Sequence, residues 1–188
     1  PALAVVMVGD DAASQVYVRN KIKQTAAVGI RSIEKQLPAV TSENTILEIV
    51  HELNEDPSVH GILVQLPLPD HVTESLVVSA INPGKDVDGL HAHNVAALTM
   101  GEEGLVPCTP AGCLLMLKEY VDNLSGKRAV IIGRSRLVGK PLAELLLQEN
   151  CTVTIAHSKT DELPALCRSA EILAAAIGRP HFVQGNWI

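Results

Sequence analysis

Short apolar stretches alternate along this chain with longer amphipathic segments. The apolar stretches begin near residues 3, 60, 128, 151 and 171 and are rich in Val, Ile, Leu or Ala, and residues 32–37 form a further, more amphipathic strand pattern. Runs of this length predict buried parallel strands, and the amphipathic segments between them predict helices. The resulting order is β-α-β-α-β-α, a linker helix, and then β-α-β-α-β. This alternation predicts an α/β fold of two domains, each with a parallel sheet.

The boundary between the two domains is predicted between residues 118 and 119, so that residues 1–118 form the first domain and residues 119–188 the second. Residues 84–109 show no clear period and are predicted to be mostly loop. A loop of this length inside a compact domain usually has a function. The cleft between two α/β domains is the expected place for a ligand.

Composition and charge exclude several classes of protein. The net charge is −6 and the basic residues are not clustered, which argues against nucleic acid as a partner. No apolar run reaches the roughly 20 residues of a membrane helix, so no membrane partner is expected. The four cysteines form no C-x-x-C pair and are predicted to be reduced thiols of a cytoplasmic protein, with a mitochondrial location left open. His91 and His93 lack partner ligands, so no metal is expected.

The stretch RAVIIGRSRLVGKP at residues 128–141 predicts a strand, a tight turn and the start of a helix. Gly133, Ser135 and Gly139 resemble the spacing of the dinucleotide fingerprint, with Ser in the second glycine position and one extra residue before the last. The free N–H groups of such a helix start favour an anion. The stretch therefore predicts a Rossmann-like nucleotide-binding domain, and an ordinary strand–helix turn is the alternative.

The end of the next strand points to the kind of nucleotide. Enzymes that use NAD usually carry an acid there for the ribose 2′-hydroxyl. This chain has His157, Ser158 and Lys159 instead, and Arg134 lies in the preceding turn. Cations and a hydroxyl suit a 2′-phosphate, so the segment predicts NADP. A surface turn that is basic by chance is the alternative.

The first domain contains polar residues that are candidates for chemistry. Tyr17 and Lys21 are four residues apart on a predicted helix and share a face, although an isolated pair with this spacing more often contains an ordinary solvated lysine. Gln65 follows a parallel strand where ligands of α/β proteins bind, or it is a hydrogen-bonded edge residue. Asp86 and Asp88 fall on one side of an extended segment, where they either hold a polar heterocycle or are solvated.

These segments together resemble one family, the bifunctional methylenetetrahydrofolate dehydrogenase/methenyltetrahydrofolate cyclohydrolases of FolD type. The matching motifs are SQVYVRNK (14–21), GILVQLPLP (61–69), PGKDVDGLH (83–91), PCTPAG (107–112), GRSRLVGKP (133–141) and VTIAHSKT (153–160), with GNWI at 185–188. The resemblance implies an N-terminal α/β catalytic domain, a Rossmann-like NADP-binding domain and a cleft between them. A shikimate dehydrogenase-like enzyme is a competing interpretation, and the DVDG and VQLPLP motifs weigh against it.

The resemblance also implies a role for individual residues. Lys21 resembles the catalytic lysine, with Tyr17 packing on the folate, Gln65 hydrogen-bonding Lys21, and Asp88 holding the pterin edge. The substrate wall is completed by two neighbours of Gln65, namely Val64 and Leu66. The residues implied to contact the dinucleotide are Gly133, Arg134, Ser135 and Ser158, of which Arg134 and Ser158 hold the 2′-phosphate.

The implied reactions are NADP-dependent oxidation of 5,10-methylenetetrahydrofolate and hydrolysis of the 5,10-methenyl product to 10-formyltetrahydrofolate, in one-carbon metabolism and purine biosynthesis. The implied partners are tetrahydrofolate derivatives and a second subunit of a homodimer. The family's chain continues past GNWI, through a P-G-G-V-G motif, and also has a helix before the first strand. We therefore expect that pieces are missing here, and a truncated, inactive NADP-binding paralogue is the alternative function.

Overall fold

The structure is a computed structural model that describes residues 1–188 except for the side chains at positions 12 and 13. The chain divides into two compact units. Unit 1 consists of residues 1–87 and 91–93, and unit 2 consists of residues 88–90 and 94–188. Among the described residues, no helix combines the length and the apolar character needed to cross a membrane.

Unit 1 is a three-stranded parallel sheet with helices on its connections. Its elements are β1 (Ala2–Val8), α1 (Ala12–Ala27), β2 (Arg31–Leu37), α2 (Glu43–Glu55), β3 (Gly61–Val64), α3 (Glu74–Ala80) and a 3-10 helix (Pro83–Lys85). The strand order is β2-β1-β3, and both pairings are parallel. The crossover connections place β1 at the centre, so the change of direction in the strand order falls between β1 and β3.

Side chains of β1 alternate between two apolar cores, because successive residues of a strand point to opposite faces. Val6 belongs to a core that includes Ile46 and Val50 of α2. Val5 belongs to a second core, which includes Val18 of α1. The sheet of unit 1 is therefore covered by helices on both faces, as the buried apolar run of β1 predicts.

Lys85 fixes the segment that carries the two acids of the DVDG motif. Its Nζ donates to three carbonyl oxygens at the end of α2, those of Leu53 (3.2 Å), Asn54 (2.7 Å) and Asp56 (2.9 Å). The last carbonyls of a helix have no partner within the helix and carry partial negative charge, which suits an ammonium group. Lys85 therefore ties the start of the motif to α2.

We expect the substitution Lys85→Met to lower the free energy of unfolding by about 1–3 kcal/mol, because three helix-end carbonyls lose a charged donor. Urea denaturation followed by circular dichroism measures this loss. Lys23→Met is the matched control, since Lys23 is exposed on α1 and has no hydrogen-bond partner among the described residues. Equal stability of the two variants would contradict the role of Lys85.

Unit 2 contains a second three-stranded parallel sheet. Its elements are α4 (Ala92–Met100, whose first two residues belong to unit 1), α5 (Cys108–Tyr120), β4 (Arg128–Ile132), α6 (Gly139–Gln148), β5 (Thr152–Ala156), α7 (Leu163–Arg168), β6 (Ile172–Ala175) and a 3-10 helix (Gly185–Trp187). The strand order is β5-β4-β6, and both pairings are parallel. The prediction of two α/β domains with parallel sheets is confirmed.

The prediction that residues 84–109 are mostly loop is wrong. They contain α4, and α5 begins at Cys108, two residues before Pro110. Helix α4 has no charged residue and is held by tertiary contacts: Asn94 is 3% exposed, and its Oδ1 accepts a hydrogen bond from the Leu105 N–H at 3.3 Å. Pro110 is compatible with α5 because the N–H groups of the first turn have no helical partner.

The predicted boundary between residues 118 and 119 lies within α5. This helix packs through Leu114 and Leu117 against the core of unit 2, in which Leu142 and Leu146 of α6 are buried. The division between the two compact units instead falls in the region of residues 87–94. The assignment of residues 1–118 to a folate-binding domain and of residues 119–188 to an NADP-binding domain stays a prediction.

Candidate functional site

The carboxyl ends of β4, β5 and β6 surround a pocket of about 540 Å³ in unit 2. With the strand order β5-β4-β6, the order reverses between β4 and β6, and ligands of open α/β sheets bind at such a point. Gly133 and Arg134 line the pocket from the turn after β4. The sequence stretch that predicted a nucleotide site therefore lies at the expected edge of the sheet.

Two glycines allow the backbone segments at this edge to approach closely. Gly133 has a φ of +120°, and a Cβ atom there would collide with the carbonyl oxygen of Ala176 after β6. A Cβ atom on Gly139 would collide with the carbonyl oxygen of Gly133 and lie 2.7 Å from its carbonyl carbon. These close contacts are what the first and last glycines of a dinucleotide fingerprint provide. The turn therefore fits a nucleotide, although its glycine spacing differs from the common one.

Ser135 caps the helix that follows this turn. Its Oγ accepts hydrogen bonds from the N–H groups of Val138 and Gly139, both at 3.2 Å. These are orphan donors at the start of α6. Neither Ser135 nor the first turn of α6 lines the pocket. The contact of Ser135 with the dinucleotide stays a prediction.

The turn after β5 forms a second wall of the pocket. His157, Ser158 and Thr160 line it, as does Leu163 at the start of α7. The Thr160 Oγ1 accepts from the His157 N–H at 2.8 Å, and the His157 Nδ1 accepts from the Lys159 N–H at 3.2 Å. These bonds fix the turn and leave Ser158 exposed at the pocket.

Sequence reasoning missed the third wall, which follows β6. Ala176, Ile177, Arg179 and Phe182 line the pocket there, and no carboxylate lines it among the described residues. No motif marks this segment. The signal that could have found it is its position directly after the third parallel strand, because the carboxyl ends of all three strands meet at one edge.

The carboxylate of Glu171 belongs to the opposite edge of the same sheet, where β4 and β6 begin. Its Oε2 accepts from the Arg128 N–H at 3.1 Å, and its Oε1 lies 3.2 Å from the Lys127 Nζ. The hydrogen bond from Arg128 and the neighbouring Lys127 lower the pKa of Glu171. The carboxylate of Glu171 is thus paired with Lys127 and Arg128 at the amino end of the sheet, while Arg134 and Arg179 lie at the carboxyl end.

In unit 1, Gln65 directly follows β3 at the carboxyl end of the sheet. Its N–H donates to the Val6 carbonyl at 2.8 Å, and its Nε2 donates to the Leu66 carbonyl at 2.7 Å. Its Oε1 is buried and has no hydrogen-bond partner among the described residues. Val64 is buried and Leu66 is half-buried. An unpaired buried amide oxygen is costly, which indicates that a donor from a ligand or a mobile side chain fits there.

Tyr17 and Lys21 lie on α1, as predicted, and are four residues apart on that helix. The inner side of the helix carries Ser14 and Val18, which are buried. Lys21 is half-buried, whereas the Tyr17 side chain is 65% exposed. The two side chains therefore border the packed side of α1, and an accessible aromatic ring of this kind is available to a planar ligand.

The two acids of the DVDG motif differ in their surroundings. Asp86 is 1% exposed, and its Oδ2 accepts from the His91 N–H at 2.8 Å. The interpretation of Asp86 as a solvated loop acid is therefore wrong, and its hydrogen bond to the His91 N–H helps to hold the turn. Asp88 is half-buried, and the next residue, Gly89, has a φ of +63°. The contact of Asp88 with a pterin stays a prediction.

The fold and pocket define a class: two-domain α/β proteins in which one unit binds a dinucleotide at the carboxyl edge of a Rossmann-like sheet. Comparison with known proteins narrows this class. Residues 1–88 match the catalytic domain of tetrahydrofolate dehydrogenase/cyclohydrolase, and residues 107–188 match its NAD(P)-binding domain. The chain belongs to the tetrahydrofolate dehydrogenase/cyclohydrolase family, which decides against the shikimate dehydrogenase-like interpretation.

Individual relatives agree with this assignment. The bifunctional protein FolD of Phenylobacterium zucineum is 60% identical over 188 residues, which are 100% of this chain and 63% of the relative. The crystal structure of the Campylobacter jejuni FolD enzyme matches with a TM-score of 0.97 at 44% identity, covering 100% of this chain and 67% of that one. The Trypanosoma brucei enzyme, solved with NADP cofactor and inhibitor, matches with a TM-score of 0.96 at 38% identity, covering 100% and 65%. The chain thus spans about 63% of the length of its curated relatives.

Proposed function

We propose that the protein oxidises 5,10-methylenetetrahydrofolate with NADP and hydrolyses the 5,10-methenyl product to 10-formyltetrahydrofolate. The observation that carries the proposal is the match of both family domains to successive parts of the chain. Each residue to which the family resemblance gives a catalytic role is present, namely Lys21, Tyr17, Gln65 and Asp88. We propose these four as the catalytic and substrate-binding residues, with Val64 and Leu66 along the substrate wall.

The proposed cofactor is NADP, bound by the pocket of unit 2. A pocket with arginines and without a carboxylate suits a 2′-phosphate, since an acid there would repel it. Arg134 and Ser158 are the proposed ligands of this phosphate, and Gly133 lets the dinucleotide approach the backbone. The Ser135 hydroxyl can donate to the dinucleotide while its oxygen caps α6. The dinucleotide supplies the hydride acceptor for the methylene carbon.

The chain's own residues would position the folate and move protons. Tyr17 would pack on the folate ring system, and Asp88 would accept hydrogen bonds from the pterin edge. The buried Oε1 of Gln65 accepts no hydrogen bond from the described residues, so the Lys21 Nζ could donate one to it, and this bond would orient the lysine. Placement of the methylene carbon is the main contribution of the protein to the oxidation.

The hydrolysis needs proton transfer. Water adds to the methenyl carbon and loses a proton, and opening of the ring then delivers a proton to the nitrogen that leaves. Lys21 is the proposed group that takes up and returns this proton. One water is consumed and one proton is released overall for each methenyl cation converted to the formyl product.

A spectrophotometric assay of the protein with 5,10-methylenetetrahydrofolate, run with NADP and with NAD in parallel, tests the proposal. Turnover that prefers NADP supports both the activity and the cofactor. Binding of NADP by folded protein without turnover would instead favour a paralogue that only binds the nucleotide. Absence of both binding and turnover would contradict the proposal.

We expect Arg134→Ala to weaken NADP binding by about tenfold or more and NAD binding by much less. The reason is that charge-assisted hydrogen bonds to the 2′-phosphate contribute about 1.5–3 kcal/mol, and NAD lacks that phosphate. Titration of each nucleotide by calorimetry measures the two affinities, and the NAD titration is the internal control. Equal weakening of both nucleotides would mean that another group holds the 2′-phosphate.

We also propose that the protein forms a homodimer and is located in the cytoplasm. The surface of α5 supports a subunit contact, since Leu115, Met116 and Tyr120 are 67%, 61% and 89% exposed. Large apolar side chains grouped on one surface are typical of interaction sites. All four cysteines are free, as is usual in a reducing compartment. Analytical ultracentrifugation distinguishes the monomer from the dimer.

A further inference from the structure

Arg179 is a cationic residue of the nucleotide pocket to which the family resemblance gives no role. It lies in the segment after β6 and lines the same pocket as Arg134 and Ser158. It differs from most arginines of the chain in its contacts. Five of the seven have interaction partners, namely Arg19, Arg31, Arg128, Arg136 and Arg168.

The other two, Arg134 and Arg179, have no hydrogen-bond or ion-pair partner among the described residues, and both line this pocket. A guanidinium group presents five N–H donors in a planar fork that matches the oxygens of a phosphate. Two such groups in a pocket without a carboxylate form a site for a dianion.

The segment that carries Arg179 is held in place by its neighbours. Gly178 turns the backbone with a φ of +62°. Phe182 packs edge-to-face on Trp187, with ring centroids 5.7 Å apart and an interplanar angle of 84°. Arg168 of α7 donates to the Asn186 carbonyl at 3.1 Å. The wall is thus held by contacts within the chain, and a segment fixed in this way loses less entropy when it binds a ligand.

The composition of the pocket indicates which phosphate Arg179 meets. Four lining residues come from the segment 157–163 after β5, where the ribose 2′ position is expected. No lining residue comes from the first turn of α6, where a pyrophosphate would bind, and two N–H groups there are already bonded to Ser135. The position of the pocket therefore favours the phosphate on the ribose over the pyrophosphate as the anion that it would bind.

We propose that Arg179 is a second guanidinium ligand of the cofactor's 2′-phosphate and that, together with Arg134, it determines the preference for NADP over NAD. The inference rests on the proposed function and deepens it. Arg134 reaches the phosphate from the turn after β4, and Arg179 reaches it from the turn after β6. A phosphate between two guanidinium groups is neutralised from both sides, whereas a ribose hydroxyl gains little from either.

Two nucleotides that differ only in the 2′-phosphate test this inference, namely 2′,5′-ADP and 5′-AMP. We expect Arg179→Gln to weaken 2′,5′-ADP by about tenfold and to leave 5′-AMP within about twofold. Arg179→Lys keeps the charge but not the planar fork, so we expect an intermediate loss. Arg128→Gln removes the same charge from the opposite edge of the sheet and is the matched control. Calorimetric titration of each folded variant gives the affinities.

Arg134→Gln and the double variant Arg134→Gln/Arg179→Gln test whether the two arginines bind the same phosphate. If both arginines hold one phosphate, the double variant loses less affinity for 2′,5′-ADP than the two single losses combined predict. If Arg179→Gln binds 2′,5′-ADP as tightly as wild type, or loses affinity equally for 2′,5′-ADP and 5′-AMP, the inference is overturned while the proposed function stands. Wild-type protein that binds 2′,5′-ADP no better than 5′-AMP overturns the proposed NADP preference and this inference together.

Discussion

The substitution Lys21→Met is expected to abolish the cyclohydrolase activity, by about 10²–10⁴-fold, while NADP still binds. Methionine has nearly the length and shape of lysine but cannot carry a proton. Lys21 is half-buried on α1 in unit 1, so its replacement leaves the nucleotide pocket of unit 2 intact. Hydrolysis of 5,10-methenyltetrahydrofolate, followed by its absorbance, measures the first effect. Calorimetry with NADP measures the second.

Lys23→Met serves as the control for this prediction. Lys23 lies two residues further along the same helix and is exposed, so the control makes the same chemical change on another side of α1. We expect it to keep activity within about twofold, as is usual for surface substitutions. Ring opening at a near-normal rate in Lys21→Met would show that another group transfers the proton.

The substitution Gly139→Ala is expected to lower the free energy of unfolding by about 3 kcal/mol and to abolish nucleotide binding. The added Cβ would collide with the carbonyl group of Gly133 and lie 3.0 Å from the backbone nitrogen of Arg134. Both obstacles are backbone atoms of the turn that receives the nucleotide, so the turn itself must move. Chemical denaturation measures the stability, and titration with NADP measures the binding.

Gly112→Ala is the matched control, because it makes the same substitution in unit 2 at a position where the added Cβ atom has space. Gly112 lies inside α5, and a Cβ atom there would meet nothing within 4 Å. Since glycine costs a helix about 0.5–1 kcal/mol relative to alanine, this variant is expected to be slightly more stable than wild type. Unchanged stability and NADP affinity in Gly139→Ala would mean that the helix start can shift without cost.

Much of the fold could be predicted because most of its strands are short apolar runs bounded by turns and because helices such as α2 and α6 have a clear amphipathic period. Helix α4 could not be predicted in this way. Its nine residues carry no charge, and burial of Asn94, Ala97 and Leu98 stabilises it. Burial against the rest of a unit depends on tertiary structure, which local periodicity does not contain.

The candidate site could be predicted where a motif marks it and not elsewhere. Gly133, Arg134 and Ser158 follow strands whose ends the sequence shows, and all three line the pocket. Arg179 was missed because its nearness to Arg134 depends on β6 pairing with β4, and alternation of elements does not give strand order. Asp86 and Asp88 look equivalent in sequence, and only the burial of Asp86 separates them.

The unpaired amide oxygen of Gln65 has a consequence for the evolution and engineering of this protein. In the unfolded chain, water hydrates that oxygen; in the folded protein it is buried without a partner among the described residues. Leaving that oxygen unpaired costs about 1–3 kcal/mol, so an apolar residue of similar shape is expected to raise the stability of any folded state in which the Lys21 Nζ does not reach it. Selection for heat resistance alone would favour replacement of Gln65, so a thermostable variant obtained in that way would lose a proposed catalytic residue.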